Sequence, residues 1–176
     1  MGEFAGSVPA GASILDVGSA DICGCYRDLF PNHDYVGLDV EDARNVDVVV
    51  ADPYNWAELA GRQFDVVISG QCLEHVEFPW VTMRQIALHT KPGGRVCIIV
   101  PHKWPLHYHP LDCYRFNPDG LSALGKWAGL RVEEATLHEI NGSEWDCVAR
   151  YVKDAEAPEA VRPGGEAEAD RLPSLE

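Results

Sequence analysis

The sequence predicts an α/β fold, a doubly wound and mostly parallel sheet with helices packed on it. Three observations carry this. Short apolar runs alternate along the chain with segments of helical spacing or of glycine and proline. The first run passes through a glycine loop into a second run that ends on an acid. Finally, the loops 18–24, 39–42, 52–55, 69–77 and 101–117 each follow a predicted strand. That places all five on the carboxyl edge of the sheet, where open α/β folds bind ligands.

The elements follow in order. Residues 1–12 are small and rich in glycine and alanine, and read as a frayed lead-in. Ile14 to Val17 is a short buried strand, followed by a loop with Gly18 and Gly24 and a helix of one or two turns. Tyr35 to Leu38 is the second strand, ending on Asp39, and Val46 to Val50 the third. Asp52-Pro53 ends it, because the residue before proline is pushed out of the helical region. Tyr54 to Ala60 reads as a short helix. Phe64 to Ile68 is continuously apolar, as a central parallel strand covered on both faces should be. Pro79 opens a helix with Met83, Ile86, Ala87 and Thr90 on one face, stopped by Pro92-Gly93-Gly94 before the strand Arg95 to Val100. Asn117 and Pro118 have the chemistry of a helix start, Leu121, Leu124 and Ala128 form its buried stripe, and Gly129 closes it. Arg131 to Ile140 and Trp145 to Val152, joined by Asn141-Gly142, read as a hairpin.

The count is about seven strands in one domain, residues 1–153, with a C-terminal antiparallel hairpin. Residues 154–176 carry seven acids against Arg162 and Arg171 and lack large apolar residues apart from two leucines, which predicts an acidic, disordered tail. The tail accounts for five of the 14 net negative charges. No lysine or arginine cluster is present, which argues against nucleic acid as a partner. The longest apolar run, Val96 to Val100, is too short to span a bilayer, so no membrane partner is expected. Six cysteines without a CxxC pair, and no basic-then-apolar leader, fit a reduced, cytoplasmic protein.

Ser13 to Asp39 reads as half of a nucleoside-cofactor site. A glycine turn lets the backbone approach a ligand, and Asp39, 21 residues after Gly18, stands where an acid can take ribose hydroxyls. Nicotinamide-dinucleotide folds use the same acid, and Asp52 after the third strand and the terminal hairpin separate the two readings. The pieces LDVGS, YVGLD, ADP, FDVVISGQCLEHV, KPGG and HPLDCYRFNPDGL, taken in this order over residues 12–153, resemble the class I S-adenosylmethionine-dependent methyltransferases. The resemblance implies a single Rossmann-like three-layer domain and S-adenosylmethionine as cofactor. It implies that Asp16 and Gly18 hold the methionine end, with Ser19 and Ala20 lining it. Asp39 would take the ribose, Val40 would pack on the adenine, and Asp52 would receive the adenine amino group with Pro53 beside it. Gly70 and Gln71 would lie next to the sulfonium. The chain departs from the family at Ala20, where glycine is usual. Gly24 resembles a variant with a later glycine, followed by Arg27, which would either pair the methionine carboxylate through its guanidinium or stand as a solvated helix residue.

On the acceptor side, His75 is either a general base or a structural hydrogen-bond partner. In the loop 101–116, His102, His107 and His109 with Trp104 and Tyr108 suit a small aromatic or polar acceptor. Catalytic candidates are therefore His75, His102 and His109, and substrate contacts Trp104, His107 and Tyr108. Asp112 and Arg115 read as an ion pair that pins the loop. The spacing H-x4-H-x-H-x2-D matches no known ligand rhythm, so no metal is expected. The expected reaction is methyl transfer to oxygen or nitrogen of a small, secondary-metabolism type of molecule. Two alternatives are a non-catalytic cofactor-binding subunit and a non-methylating use of the cofactor. Only about twelve residues precede the first strand, so the site should be open unless a second copy or a partner subunit completes a lid.

Overall fold

The computed structural model describes residues 1–22, 24–140 and 143–155. Its frame is a seven-stranded sheet of β1 (Ser13–Val17), β2 (Asp34–Asp39), β3 (Val48–Val49), β4 (Phe64–Gly70), β5 (Thr90–Pro101), β6 (Arg131–Ile140) and β7 (Ser143–Val152). The strand order is β3-β2-β1-β4-β5-β7-β6. β3, β2, β1, β4 and β5 run parallel, and β7 inserts antiparallel between β5 and β6. The order reverses between β1 and β4, which is the switch point where a crevice opens beyond the strand ends.

Successive residues of the central strands point to opposite faces, and two cores result. Leu15, Val17, Val67, Val96, Ile98 and Val100 face one of them. There they meet Met83, Ile86 and Ala87 of α2 (Pro79–His89), Leu121 of α3 (Pro118–Trp127), and Trp56 and Leu59 of a 3₁₀ turn. Ile14, Val66, Ile68, Cys97 and Ile99 face the other, where the cover is thin: Phe4, Ala5, Val8 and Phe30. Each fully buried side chain of this size contributes roughly 1.5–3 kcal/mol.

The first residues are therefore no frayed lead-in. Gly2–Ala5 forms the single-turn helix α1, and Phe4, 1% exposed, is part of the second core. Apolar surface on β1, β4 and β5 would otherwise meet water, and Phe4 covers it. The helix expected after the glycine loop is one 3₁₀ turn, Arg27–Leu29, and β3 pairs only Val48 and Val49 with the end of β2. Pro92-Gly93-Gly94 does not separate helix from strand. Thr90 already pairs with Phe64, and the irregularity falls between Phe64 and Val66. Asn117 occupies the N-cap position of α3, with Pro118 first in the helix. The Asn141-Gly142 turn and residues 156–176 lie outside the described residues. Among the described residues no helix is long and apolar enough to cross a membrane.

Candidate active site

The ends of β1 and β2 are laced together. Gly18, at φ 75, turns the chain so that its amide and that of Ser19 both donate to Leu38 O, at 2.9 and 3.1 Å. A Cβ at Gly18 would sit 2.4 Å from Cys72 Sγ, so the β1 and β4 loops can touch only because this residue is glycine. Asp39 ends β2, and its carboxylate accepts from the amides of Ala20 (3.0 Å), Val40 (2.7 Å) and Glu41 (3.3 Å). An ionised carboxylate offers about four lone-pair directions, so three backbone donors fix Asp39 and leave acceptor capacity. The alanine that departs from the glycine pattern is thus tolerated because its amide is what the loop uses.

Ser19 is 3% exposed, and its hydroxyl donates to Asn45 O, so its side chain ties the loop to the β2–β3 connection. Val40 is 50% exposed at the edge of the crevice. Asp52, after β3, is exposed and caps its own turn through the Tyr54 amide, with Pro53 beside it. Arg27 does not fit the role expected of it. Its Nε donates to Asn45 Oδ1 at 2.6 Å, its Nη2 pairs with Asp47 at 2.5 Å, and its guanidinium stacks 4.5 Å from the centre of the Tyr35 ring. The cation is consumed in tying this loop to the β2–β3 connection.

Asp16 is 2% exposed and accepts the Tyr35 hydroxyl. Burial is the main cause that lifts its carboxyl to about 6, against the opposing hydrogen bond and the nearby Arg27. A second tyrosine lies close by. A Cβ at Gly70 would fall 2.3 Å from Tyr26 Oη, so the phenol rests directly on the end of β4. Burial, with Asp16 and Asp146 adding, pushes Tyr26 up to about 12, so it is a hydrogen-bond donor at neutral pH. Nothing in the residue order singled out Tyr26. Its neighbours come from three different strand ends.

Gln71 adopts φ 55, its amide bonds Ile99 O, and its side chain donates to Asp146 Oδ1 at 3.1 Å. The hairpin therefore contributes to the site through Trp145 and Asp146. Trp104 packs edge-on against Trp145 at 5.0 Å, and the amides of His102 and Lys103 both reach Trp145 O. The other end of the 101–116 loop is fixed as the sequence predicts. Arg115 grips Asp112 with two nitrogens, at 2.5 and 2.8 Å, and also donates to the carbonyls of Trp104, Pro105 and Tyr114. This guanidinium and the His107 amide hold the Asp112 carboxyl well below the usual range.

The structure brings His75, His107 and His109 together. The His75 ring lies 4.9 Å from His107 and 6.2 Å from His109, edge-on to both. His102 is used differently, with Nδ1 on Phe116 O at 3.0 Å. Tyr108 is 72% exposed and Trp104 52%, so they form a rim and not a closed pocket. His75 Nδ1 stands 2.5 Å from Leu111 O, which can only accept, so the proton is on Nδ1 and Nε2 is free. Burial lowers the His75 pKa, and the ring is neutral at pH 7.

Glu74 joins this group although its position in the sequence assigns it no role. It is completely buried, neither carboxylate oxygen has a hydrogen-bond partner, and Oε1 lies 3.7 Å from His75 Nε2. Burial raises its carboxyl to about 7. The available signal was the acid itself in Leu73-Glu74-His75, an ionisable residue directly after the buried Leu73. One donor atom each from Glu74, His75 and His107 lies within 4.8 Å of the others, a set that could hold a metal ion.

Residues 3–146 match the family model described as a methyltransferase domain. The chain belongs to this methyltransferase family, and its architecture is the class I, Rossmann-like one anticipated from the sequence. Among solved structures, the chain resembles a Burkholderia thailandensis 1,6-didemethyltoxoflavin-N1-methyltransferase bound to 1,6-didemethyltoxoflavin and S-adenosylhomocysteine. That match has TM-score 0.65, 19% identity, and covers 82% of this chain and 72% of that one. A chain from the Haloferax volcanii complex between the Trm112 methyltransferase activator and a methyltransferase gives TM-score 0.63 and 18% identity, covering 87% and 86%. A TehB-like S-adenosylmethionine-dependent methyltransferase from Corynebacterium glutamicum gives 0.60 and 21%, covering 86% and 85%. No curated protein matches the sequence.

Proposed function

We propose that the chain transfers a methyl group from S-adenosylmethionine to an oxygen or nitrogen of a small molecule. One observation carries the cofactor half. Asp16, the Gly18 turn, Asp39, Asp52 and the Gly70-Gln71 step stand at the carboxyl ends of four adjacent strands, β1, β2, β3 and β4. The residues fit the group. Asp39 is held rigid with acceptor capacity to spare for the ribose, Val40 offers an apolar contact for adenine, and Asp52 lies beyond the next strand. Asp16 and the Gly18 backbone suit the methionine end. When bound, the cofactor supplies an electrophilic methyl group, so the protein's share is placement and exclusion of water.

Acceptor recognition falls to the loops after β4 and β5. Gly70 and Gln71 stand beside Tyr26 and Asp146, and Trp104 and Tyr108 give the rim an apolar surface. His75 holds its proton at Nδ1 and presents Nε2 as an acceptor, which suits a base for a weakly acidic hydroxyl or amine. His109 lies within reach of the same ring, whereas His102 supports the loop through Phe116. The half-exposed rim leaves room for a second copy or an activating partner to close over it. In the Haloferax volcanii complex, a methyltransferase carries such an activator.

The test is ligand-linked stability. At one hundred times its dissociation constant, S-adenosylhomocysteine should stabilise the fold by about 2.7 kcal/mol, and nicotinamide dinucleotide should not. Gly70→Ala should reduce that response, because its Cβ displaces Tyr26 at the sulfonium end. Incubation with candidate acceptors, read by mass spectrometry, should then show addition of one methyl group. Binding without turnover on any acceptor until a partner is added would favour the non-catalytic subunit. A product lacking the added methyl would favour a non-methylating reaction. No response to S-adenosylhomocysteine would overturn the proposal.

A further inference from the structure

We infer that Glu74, His75 and His107 form a binding site for a divalent transition-metal ion of the zinc type, which while bound occupies His75 Nε2 and so takes the place of its role as a base. The three donor atoms lie within 4.8 Å of one another. Two imidazoles and one carboxylate form a donor set suited to zinc and its neighbours, whereas calcium and magnesium prefer oxygen ligands throughout. Bonds of about 2.1 Å place tetrahedral donors roughly 3.5 Å apart, so the cluster must contract by about 1 Å. His107 sits half-buried on a loop and can supply that movement by side-chain rotation.

Two independent observations support a cation here. Glu74 is fully buried with both oxygens unpartnered, and a carboxylate in that position is costly unless it is paired or binds a metal. Arg115, a cation whose charge reaches Glu74, is already committed to Asp112 in a two-pronged ion pair. Moreover, the ligands are backed as metal ligands usually are. His75 Nδ1 is held by Leu111 O, which directs the lone pair of Nε2 toward Glu74. His107 Nδ1 lies 3.1 Å from Pro105 O, 3.7 Å from the Asp112 carboxylate and 3.4 Å from Arg115 Nη2, contacts that hold the ring in place. Three protein ligands leave a fourth position open, as in catalytic zinc sites.

The 176-residue chain, stripped with a chelator and dialysed, would be titrated with zinc chloride by calorimetry and with cobalt chloride by visible absorption. One equivalent of zinc per chain and a cobalt spectrum of low coordination number are expected. His107→Ala and Glu74→Gln should each weaken zinc by at least about tenfold, with circular dichroism confirming the fold. His138→Ala, on β6, should leave binding unchanged. Absence of stoichiometric zinc binding by the unmodified chain overturns the inference whatever the variants do. So does zinc that binds equally well to both cluster variants, because it would then sit elsewhere. Saturation with S-adenosylhomocysteine by a chain that takes up no zinc would reject the metal alone and leave the methyltransferase reading intact.

Discussion

Asp16→Asn should make the protein more stable at neutral pH while weakening its hold on the cofactor. In the folded chain the Asp16 carboxyl is raised from 3.8 to about 6, chiefly by burial. The folded state therefore binds more protons than the unfolded one between these two values, and stability falls as pH rises through that window. About two units at 1.36 kcal/mol each give a cost on the order of 3 kcal/mol, fully present above pH 6 and absent below about pH 4. Asparagine keeps an oxygen for the Tyr35 hydroxyl and removes the desolvated charge. Urea unfolding of both proteins from pH 4 to pH 8 isolates the effect as a difference, since Glu74, raised by burial to about 7, lowers the stability of both in this range, whereas Asp65, held at about 2 by Lys91 and Ser13, titrates below it. The variant should equal the native chain near pH 4 and exceed it by about 1–3 kcal/mol at pH 8. S-adenosylhomocysteine should protect it less. A native chain that is the more stable at pH 8, or a difference that does not change with pH, would refute the assignment of a strained buried carboxylate.

The remaining perturbations address the loop and the first helix. Arg115→Lys keeps the charge but loses the fork that holds Asp112 and the carbonyls of Trp104 and Pro105. Limited proteolysis should cut within 101–116 about tenfold faster, roughly the worth of one hydrogen bond, with the far-ultraviolet spectrum unchanged. Phe4→Ala should cost about 3 kcal/mol in urea unfolding, because this ring is buried against Ile14, Val66, Ile68 and Cys97. A loss below about 1 kcal/mol would mean that the first turn is loosely attached.

The frame of the fold was legible because parallel central strands are apolar on both faces and announce themselves as continuous runs. Val66, Val67 and Ile68 serve two cores, and no alternation disguises them. The first helix was not legible, since GEFAG is too short for periodicity and only its one phenylalanine carries the burial. The geometry of the first two loops was legible wherever it depends on backbone, as in the turn at Gly18, or on an acid closing a strand, as at Asp39. Arg27 misled because its alternative partners, Asn45 and Asp47, lie in a later loop that the β1–β2 pairing brings alongside.

The same reason explains why no metal was expected. Ligand-spacing rules look for donors within one segment, and the histidines of 101–109 fail them. The cluster takes only His107 from that loop and draws Glu74 and His75 from another, more than thirty residues earlier. What joins the two is the sheet. Gly70 pairs with Ile99, so the loops leaving β4 and β5 start level with each other, and the amides of Cys113 and Tyr114 close back onto Glu74 O at 2.7 and 3.2 Å. A glutamate buried in that way can be seen only once the pairing is known. It is also why removing His107 and removing Glu74 should have the same consequence for zinc, although neither is the other's neighbour in the chain.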